Sequence, residues 1–411
     1  MNYIATIFCQ VCGHKLPSPK LNLGKHPLCD DLIPLEEIVV SEEYPINISL
    51  CENCLTANQL CNIKKEKLFP QKYHYRPRFT QDVISGMKEL VDQADLCLNG
   101  LKNKVVCDIG CNDGTLLNFF KDKGCKTSGI EPTGAFLEAK KNHKNIIHDF
   151  FNIESASKLK SIVGSPDIIT FTNVFAHIED LEEAIAVLKS IIKEETLIII
   201  ENHYLGTVVK TNQFDTFYHE HPRTYSKKSF EFIAKKLGRK LLGVFFPKRY
   251  GGNIRIYLSS ENFVINDPMN LNCLNSTNED YISKDFDRMQ SFIDNWKKNT
   301  RKSILDLAKE YGKVYGKSFP GRAAILLKLI DIDENIMPAI FEKKGSMKLN
   351  HFVPGTRIKI ESDETWMNKN NPPKVLLIWA WHIHQEIADY LRSAGYKGKI
   401  YTPLPEFKEI I

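Results

Sequence analysis

The spacing of hydrophobic and polar residues changes along this chain, and these changes predict where its helices and strands lie. Over 82–101 the apolar residues recur at helical spacing, whereas from 104 onward short apolar runs alternate with amphipathic segments. Strands are predicted within 104–110, 126–132, 162–174 and 196–202, and helices within 116–124 and 181–193. Strands that alternate with helices are typical of a parallel sheet with right-handed crossovers, so we expect an α/β fold.

The second half of the chain repeats this alternation on a smaller scale. The runs LLGVFFP and NIRIYLSS predict strands of a sheet edge, and they follow a segment rich in aromatic residues and histidine, 214–226. Residues 266–283 are polar and contain five Asn, which makes them the best linker candidate. A charged helix over 285–312 and the apolar runs after it predict a smaller α/β unit.

Length, charge and hydropathy indicate how many domains the protein has and which kinds of partner it binds. A chain of 411 residues is long enough for two or three domains. Because 55 Lys and Arg are nearly balanced by 50 Asp and Glu, the net charge of +5 suits a phosphorylated small molecule better than nucleic acid. No apolar run reaches the roughly 18 residues of a membrane span, and we recognise no signal peptide. We therefore expect no nucleic acid and no membrane as partner.

The cysteines indicate a metal site. Eleven cysteines without an export signal point to a reducing compartment, so we expect a cytoplasmic protein. Cys9 and Cys12 form one Cys-x-x-Cys pair, and Cys51 and Cys54 form another. Four thiolates can surround Zn²⁺ and leave no open position, so we predict a structural zinc rather than four unligated cysteines. The other cysteines are expected to pack as small apolar residues: Cys29, Cys61, Cys97, Cys107, Cys111, Cys125 and Cys273.

A glycine loop follows the predicted strand 104–110. Its glycines stand at 110 and 114, so the Gly-x-Gly-x-x-Gly pattern is missing and an NAD-dependent oxidoreductase is disfavoured. Asp108 before the glycines suits the cationic amino-acid moiety of S-adenosylmethionine. Glu131, about 20 residues later, can accept hydrogen bonds from both ribose hydroxyls. The alternative is a plain tight turn with a surface acid.

A second candidate for chemistry is the segment 215–226, Asp-Thr-Phe-Tyr-His-Glu-His-Pro-Arg-Thr-Tyr-Ser. Two histidines, a glutamate and two tyrosines within eight residues are poor core formers and suitable for proton transfer. A histidine can take a proton near neutral pH, a glutamate can fix its tautomer, and a tyrosine can donate to a developing oxyanion. A His-x-His metal site is the alternative.

Together these motifs resemble the sugar C-methyltransferases that act on nucleotide-linked 4-keto deoxysugars. The resemblance covers nearly the whole chain and includes both cysteine pairs. The most specific motifs are TNVFAHIEDL (172–181) and FDTFYHEHPRTYS (214–226). The others are LGKHPLCDDLIP (23–34), YHYRPRFT (73–80), DIGCNDGTLL (108–117), GIEP (129–132), YGGNIR (250–255), VPGTRIKI (353–360) and LPE (404–406).

The resemblance implies three domains. These are a zinc-binding lobe over 1–70, a Rossmann-like methyltransferase domain that binds S-adenosylmethionine over 71–265, and a smaller C-terminal α/β domain with substrate contacts over 266–411. The implied substrate is a nucleotide sugar. A monomer is the simplest expectation.

Family roles carry over to the positions that match the motifs. His221 resembles the catalytic base, Tyr218 and Glu220 its active-site partners, His177 a substrate-side group, and Tyr75 the tyrosine that the zinc lobe contributes. The expected cofactor contacts are Asp108, Gly110, Asn112, Asp113, Gly114, Glu131, Pro132 and Asn173.

The implied reaction removes a proton next to a ketone, holds the enolate oxygen with hydrogen-bond donors, and transfers the sulfonium methyl to carbon. This chain departs from the family pattern where substrate contacts are expected. Pro320 replaces a lysine, His382 replaces an asparagine, and YHYRPRFT lacks serines. Sugar O-methylation is the main alternative, and a zinc-knuckle RNA methyltransferase or nucleic-acid binder is a weaker one because the lysines are scattered.

Overall fold

Residues 3–265, 277–367 and 372–411 are described by the computed structural model, and they fall into two units that each draw on three stretches of the chain. The first unit comes from Met1–Ser18, Ser49–Thr207 and Glu220–Ser283, and the second from Pro19–Ile48, Val208–His219 and Lys284–Ile411. Cys273 and most of the linker candidate 266–283 lie outside the described residues. The domain limits at 70 and 265 stay predictions.

A seven-stranded sheet organises the first unit. In spatial order its strands are Lys240–Phe245, Asn253–Ser259, Leu197–His203, Ile168–Thr172, Val105–Ile109, Lys126–Ile130 and Asn145–Ile147. The last five run parallel, and the first two are antiparallel additions at one edge. The predicted strands and the predicted sheet edge are confirmed.

Helices separate the parallel strands, as the alternating pattern predicted. The helices of this unit are Lys65–Leu68, Gln81–Cys97, Thr115–Asp122, Phe136–Ala139, Ile153–Val163, Leu181–Ile191 and Lys227–Leu237. Two further helices, Leu205–Lys210 and Tyr281–Tyr311, contain residues of both units. Leu181–Ile191 begins where the Asp180 carboxylate accepts the N–H groups of Glu182 and Glu183 at 2.9 and 3.0 Å.

The unbroken apolar run 197–200 at the start of the strand Leu197–His203 is explained by two cores, one on each face of the sheet. Ile198 and Ile200 belong to one buried cluster, whereas Leu197 and Ile199 belong to the other. Alternate residues of a strand point to opposite faces, and a parallel sheet covered by helices buries both. The cysteines Cys9, Cys51 and Cys54 lie in the first of these clusters, so the predicted metal site packs against the sheet.

Two short ribbons in the first unit connect the cysteine-bearing segments to the rest of it. Ile4–Ala5 pairs antiparallel with Cys61–Asn62, and Ala57–Gln59 pairs antiparallel with Arg223–Thr224. The second ribbon joins the stretch after Cys54 to the histidine-rich segment. Among the described residues, no helix combines the length and apolar character needed to span a membrane.

The second unit is also α/β and contains an eight-stranded sheet, as its alternating pattern predicted. In spatial order its strands are Lys408–Ile410, Lys399–Thr402, Val375–Ile378, Tyr315–Lys317, Ala339–Glu342, Lys359–Ser362, His351–Phe352 and Ile33–Pro34. The helices Ala323–Ile330, Glu364–Met367 and His384–Ser393 accompany it. Leu21–Pro27 and Glu43–Leu50 pair as an antiparallel ribbon. Nothing in the periodicity of 19–48 indicated that these residues belong with the C-terminal half.

Candidate active site and metal centre

Four cysteine thiols converge in the first unit, those of Cys9, Cys12, Cys51 and Cys54, with all Sγ atoms within 4.8 Å of one another. The Sγ atoms of Cys12 and Cys51 are 3.4 Å apart, and those of Cys9 and Cys54 are 3.5 Å apart. Each pair sits on a tight turn. The N–H of Gly13 donates to the Cys9 carbonyl at 2.7 Å, and the N–H of Leu55 donates to the Cys51 carbonyl at 2.8 Å.

This thiol set fits structural zinc. Zn–S bonds of about 2.3 Å in a tetrahedron place the sulfurs about 3.8 Å apart, close to the spacing seen here. Hydrogen bonds from the thiols of Cys51 and Cys54 lower the pKa of Cys9 to about 4, which favours a thiolate. In the described part of the chain, no second group of three or more His, Cys, Asp or Glu side chains is close enough to hold a metal ion.

The cofactor loop, residues 108–114, lies at the carboxyl end of the central strand Val105–Ile109. Gly110 has φ of 69°, and a Cβ added there would lie 2.6 Å from the Val174 side chain, so glycine is required. Asp108 is buried, and the Thr170 hydroxyl donates to its Oδ1 at 2.7 Å. Burial raises the pKa of Asp108 to about 7. A buried carboxyl of this kind favours a cationic partner.

Glu131 follows the neighbouring strand and is also buried. Its Oε2 accepts the N–H of Asn112 at 2.9 Å, and its Oε1 accepts the N–H and the hydroxyl of Thr133 at 2.8 and 2.5 Å. Burial raises the pKa of Glu131 in spite of these hydrogen bonds. A carboxylate offers about four acceptor positions, so three internal donors leave room for about one more. That Glu131 accepts both ribose hydroxyls stays a prediction.

The remaining predicted cofactor contacts lie around the same loop. Asp113 Oδ1 accepts the N–H of Thr115 at 3.1 Å at the start of the helix Thr115–Asp122. The backbone of Asn173 has φ of 53°, and its N–H donates to the Glu201 carbonyl at 2.7 Å. The neighbours that complete the predicted set are Gly114, with φ of 78°, and Pro132, whose carbonyl accepts Gln71 Nε2 at 2.9 Å. Their contacts with a cofactor stay predictions.

Three imidazole rings gather in the first unit. The ring centroid of His221 is 4.8 Å from that of His177 and 5.5 Å from that of His203. His177 Nδ1 donates to the Glu220 carbonyl at 2.6 Å, which fixes its tautomer with an acceptor at Nε2 when the ring is neutral. The Tyr73 hydroxyl donates to Glu220 Oε2 at 3.1 Å. His177, Glu220 and His221 therefore lie together in the first unit, and their catalytic roles stay predictions.

The sequence did not single out His203 and Tyr73. His203 ends the strand Leu197–His203, and a polar residue at a strand end has an ordinary structural explanation. Tyr73 is the first tyrosine of the Tyr-x-Tyr pair, of which only Tyr75 was predicted. Tyr75 is 38% exposed, and its carbonyl accepts Asn112 Nδ2 at 3.2 Å.

The histidine-rich segment is divided between the units after residue 219. Within the second unit His219 is buried, its Nε2 donates to the Tyr44 carbonyl at 3.1 Å, and burial lowers its pKa to about 4. His219 is therefore a neutral packed histidine. Tyr218 is half-buried in the same unit, and its role beside His221 stays a prediction.

The first unit also contains a buried ionic cluster that was not predicted from the sequence. Glu201 is fully buried and its Oε1 accepts Arg249 Nε, while its Oε2 accepts Arg255 Nε at 2.6 Å. Asn253 Nδ2 donates to Glu201 Oε1 at 2.9 Å and to Asn173 Oδ1 at 3.3 Å. The sequence feature that could have indicated this cluster is a charged residue within each of two apolar strands, TLIIIEN and NIRIYLSS. Through Asn173 this cluster is connected to one of the predicted cofactor contacts.

Two positions that depart from the family pattern lie in the second unit. Arg322 Nε is 3.2 Å from Asp215 Oδ2, which also accepts Trp381 Nε1 at 2.8 Å. Arg322 Nη2 donates to His382 Nδ1 at 2.9 Å. His382 is therefore held by an arginine two residues after Pro320.

Three family models match the chain in succession. They are a zinc binding domain over residues 9–69, a methyltransferase domain over 79–242 and a C-methyltransferase C-terminal domain over 248–405.

The chain is also similar to individual proteins. C-methyltransferase NovU of Streptomyces niveus is 24% identical over 412 residues, which is 97% of this chain and 95% of that protein. The ubiquinone biosynthesis O-methyltransferase of Glaesserella parasuis serovar 5 (strain SH0165) is 32% identical over 109 residues, 25% of this chain and 46% of that protein. The solved structure of magnesium protoporphyrin IX methyltransferase (ChlM) from Synechocystis PCC 6803 with bound SAH is 14% identical. It covers 44% of this chain and 84% of its own, with a TM-score of 0.34.

Proposed function

Because this chain belongs to the S-adenosylmethionine-dependent C-methyltransferases with an N-terminal zinc-binding domain, we propose that it methylates the carbon next to the ketone of a nucleotide-linked keto deoxysugar. The observation that carries this proposal is the group formed by His177, Glu220 and His221 in the unit that holds the cofactor loop. A basic imidazole beside a methyl donor suits removal of a proton from carbon followed by methyl transfer.

The residues of the cofactor loop fit the methyl donor. Asp108 would hold the ammonium group of the amino-acid moiety, and the glycines would let the backbone approach it closely. Glu131, tied to Asn112, would accept a ribose hydroxyl. When bound, S-adenosylmethionine supplies an electrophilic methyl group on a sulfonium.

In the proposed mechanism His221 removes the proton next to the ketone. His177, whose Nδ1 donates to the Glu220 carbonyl, binds a hydroxyl of the sugar. Tyr75 donates to the enolate oxygen. The substrate class rests on the motif resemblance and on the slight positive charge, which suits a phosphorylated molecule.

Deuterium exchange tests the base and the reaction together. With S-adenosylhomocysteine bound, the wild-type protein should exchange the proton next to the ketone of a nucleotide-linked 4-keto deoxysugar for deuterium. His221→Asn should abolish this exchange and methyl transfer, while the affinity for S-adenosylmethionine stays near wild type. The matched control is His14→Asn, an exposed histidine, which should leave both unchanged. Mass spectrometry of products from a panel of such sugars identifies the acceptor.

Two outcomes would contradict the proposal. Most activity remaining in His221→Asn would move the base to another histidine. Methyl transfer without exchange would favour a hydroxyl acceptor, in line with the partial match to an O-methyltransferase.

We propose further that the protein acts in the cytoplasm as a monomer, without a nucleic-acid or membrane partner. A reducing compartment keeps the thiols available for zinc. Light scattering on the zinc-loaded protein should then give a mass near 47.1 kDa.

A further inference from the structure

We propose that Arg76 and Arg78, together with Glu138, form a latch that ties residues 73–78 to the cofactor loop and thereby positions Tyr73 against Glu220. The inference rests on the proposed function, because it concerns the partners of His221. We call residues 73–78 the tyrosine segment. The two arginines are positioning residues, since they act on Glu220 through Tyr73.

Arg76 binds the backbone of the tyrosine segment at two carbonyls. Its Nη1 donates to the carbonyls of Tyr73 and Tyr75 at 2.7 and 2.8 Å, and its Nε donates to Glu138 Oε1 at 2.8 Å. The side chain is 5% exposed, so these three hydrogen bonds are largely protected from water. Two nitrogens of one planar fork are used, which a lysine ammonium cannot reproduce.

Arg78 adds a contact with the cofactor loop itself. Its Nη1 donates to Asp113 Oδ2 at 3.2 Å and also to Glu138 Oε2. The arginine side chain is 43% exposed, whereas that of Asp113 is 2% exposed. Because one nitrogen makes both contacts, a point charge at this position can replace the fork.

Glu138 is the shared anchor of the two arginines. Although burial opposes its ionisation, hydrogen bonds from Arg76 and Arg78 lower the pKa of this carboxyl. Glu138 lies in the short helix Phe136–Ala139, which follows the Glu131 turn. The latch therefore fastens the tyrosine segment to both sides of the cofactor site, at Asp113 and after Glu131.

Further hydrogen bonds continue from the latch to the imidazole rings. Asn112 Nδ2 donates to the Tyr75 carbonyl at 3.2 Å, so the loop also touches the segment directly. At the other end the Tyr73 hydroxyl donates to Glu220 Oε2 at 3.1 Å, and the Glu220 carbonyl accepts His177 Nδ1 at 2.6 Å. A loop ordered by cofactor should thus order the tyrosine segment and, through it, Glu220.

Hydrogen exchange measures the coupling without any sugar substrate. With saturating S-adenosylhomocysteine as probe, the amides of 73–80 in the wild-type protein should exchange about 10-fold more slowly than without it. Arg76→Lys should lose most of this protection, and Arg78→Lys, the matched control, should keep it. Equal protection in wild type and Arg76→Lys, or none in wild type, would overturn the latch. Melting temperature and zinc content show whether Arg76→Lys folds. If it does not fold, Glu138→Gln, which weakens the shared anchor, is measured in its place.

Kinetics separate the latch from general stability and from the proposed function. Arg76→Lys should lower kcat about 10-fold with little change in KM, and combination with Tyr73→Phe should add little, because both act on Glu220. Losses that multiply would show that Arg76 does not act through Tyr73. If His221→Asn retains full kcat, the proposed function fails. If His221→Asn loses kcat while Tyr73→Phe or Arg76→Lys does not, only the latch fails.

Discussion

Asp108 is the first residue of the cofactor loop, and burial raises the pKa of its carboxyl from the ordinary 3.8 to about 7. In the cofactor-free protein this carboxyl stabilises the fold fully below about pH 4, and that contribution is lost as the pH rises through about 7. Binding of an ammonium group requires the opposite form, the carboxylate. Cofactor binding should therefore release a proton below about pH 7.

We expect the affinity for S-adenosylmethionine to fall about 10-fold for each pH unit below about 7, where Asp108 takes up a proton. Asp108→Asn should bind weakly and lose this dependence. Calorimetry in buffers of different ionisation enthalpy measures both the affinity and the proton release. As a control, Asp167→Asn removes a carboxyl paired with Lys193 and should keep the wild-type profile. A wild-type affinity that does not change with pH would show that Asp108 is not the ammonium partner.

At the scale of elements, the strand Leu197–His203 carries a buried charge that two arginines stabilise. Burial alone would raise the pKa of Glu201, but the charges of Arg255 and Arg249 lower it to about 2. Because this pKa lies below the ordinary 4.5, the stabilisation is present above about pH 4.5 and is lost as the pH falls through about 2.

Glu201→Gln should destabilise the protein by about 3–5 kcal/mol, since it leaves two buried arginines without their carboxylate. Urea unfolding near neutral pH measures the loss, which should shrink towards pH 2. The exposed Glu195→Gln serves as control and should change stability by less than about 0.5 kcal/mol. A stability loss below about 0.5 kcal/mol in Glu201→Gln would mean that the ionic cluster contributes little to the stability of the protein.

The two cysteine turns should hold one zinc ion, and replacing one of their cysteines should release it. We expect one zinc per chain, and Cys51→Ser should lose it because three thiolates remain. The Cys54 carbonyl accepts the hydroxyls of Ser226 and Ser229 at 3.3 and 3.2 Å, so metal loss should also loosen the histidine-rich segment. Metal analysis and thermal unfolding measure the two effects. Cys61→Ser, a buried cysteine outside the cluster, should keep its zinc. Full zinc in Cys51→Ser would refute the ligand set.

Elements with a clear period were predictable from the sequence. The predicted strand 196–202 became Leu197–His203, and the predicted helix 285–312 became Tyr281–Tyr311. The strand Ile33–Pro34 was not predictable, because a strand of two residues is too short to show a hydrophobic period. Its partners His351 and Phe352 also lie near the other end of the chain.

Site residues were predictable where several of them stood in one motif, as in Tyr-His-Glu-His. Glu201 was missed because its partners Arg249 and Arg255 lie 48 and 54 residues further along the chain. His203 was missed because a single histidine that ends a strand has no companion within its own segment. Contacts between distant segments leave no local pattern.

At the scale of the whole molecule, the charge balance favours a small substrate over nucleic acid. The 55 basic and 50 acidic side chains nearly cancel, and binding to nucleic acid needs a concentrated basic surface. We expect no transfer of labelled methyl from S-adenosylmethionine to total RNA under conditions in which a nucleotide-linked keto sugar is methylated. Labelled RNA, with transfer that falls steeply as salt rises, would support the nucleic-acid alternative.

Each unit draws on three stretches of the chain, and a ribosome delivers those stretches far apart in time. Asn22, whose N–H donates to Gln290 Oε1, waits for a partner 268 residues downstream, which at about 5–20 residues per second takes about 15–50 s. During that interval the apolar side chains of Leu21, Leu23 and Ile46, buried in the finished protein, lack most of their surroundings. The nascent chain cannot complete one unit before starting the next, so its yield in cells should depend on chaperones that shield the early segment. A fragment that starts at 266 would lack the strand Ile33–Pro34 of its sheet and the ribbon formed by Leu21–Pro27 and Glu43–Leu50, and it should aggregate.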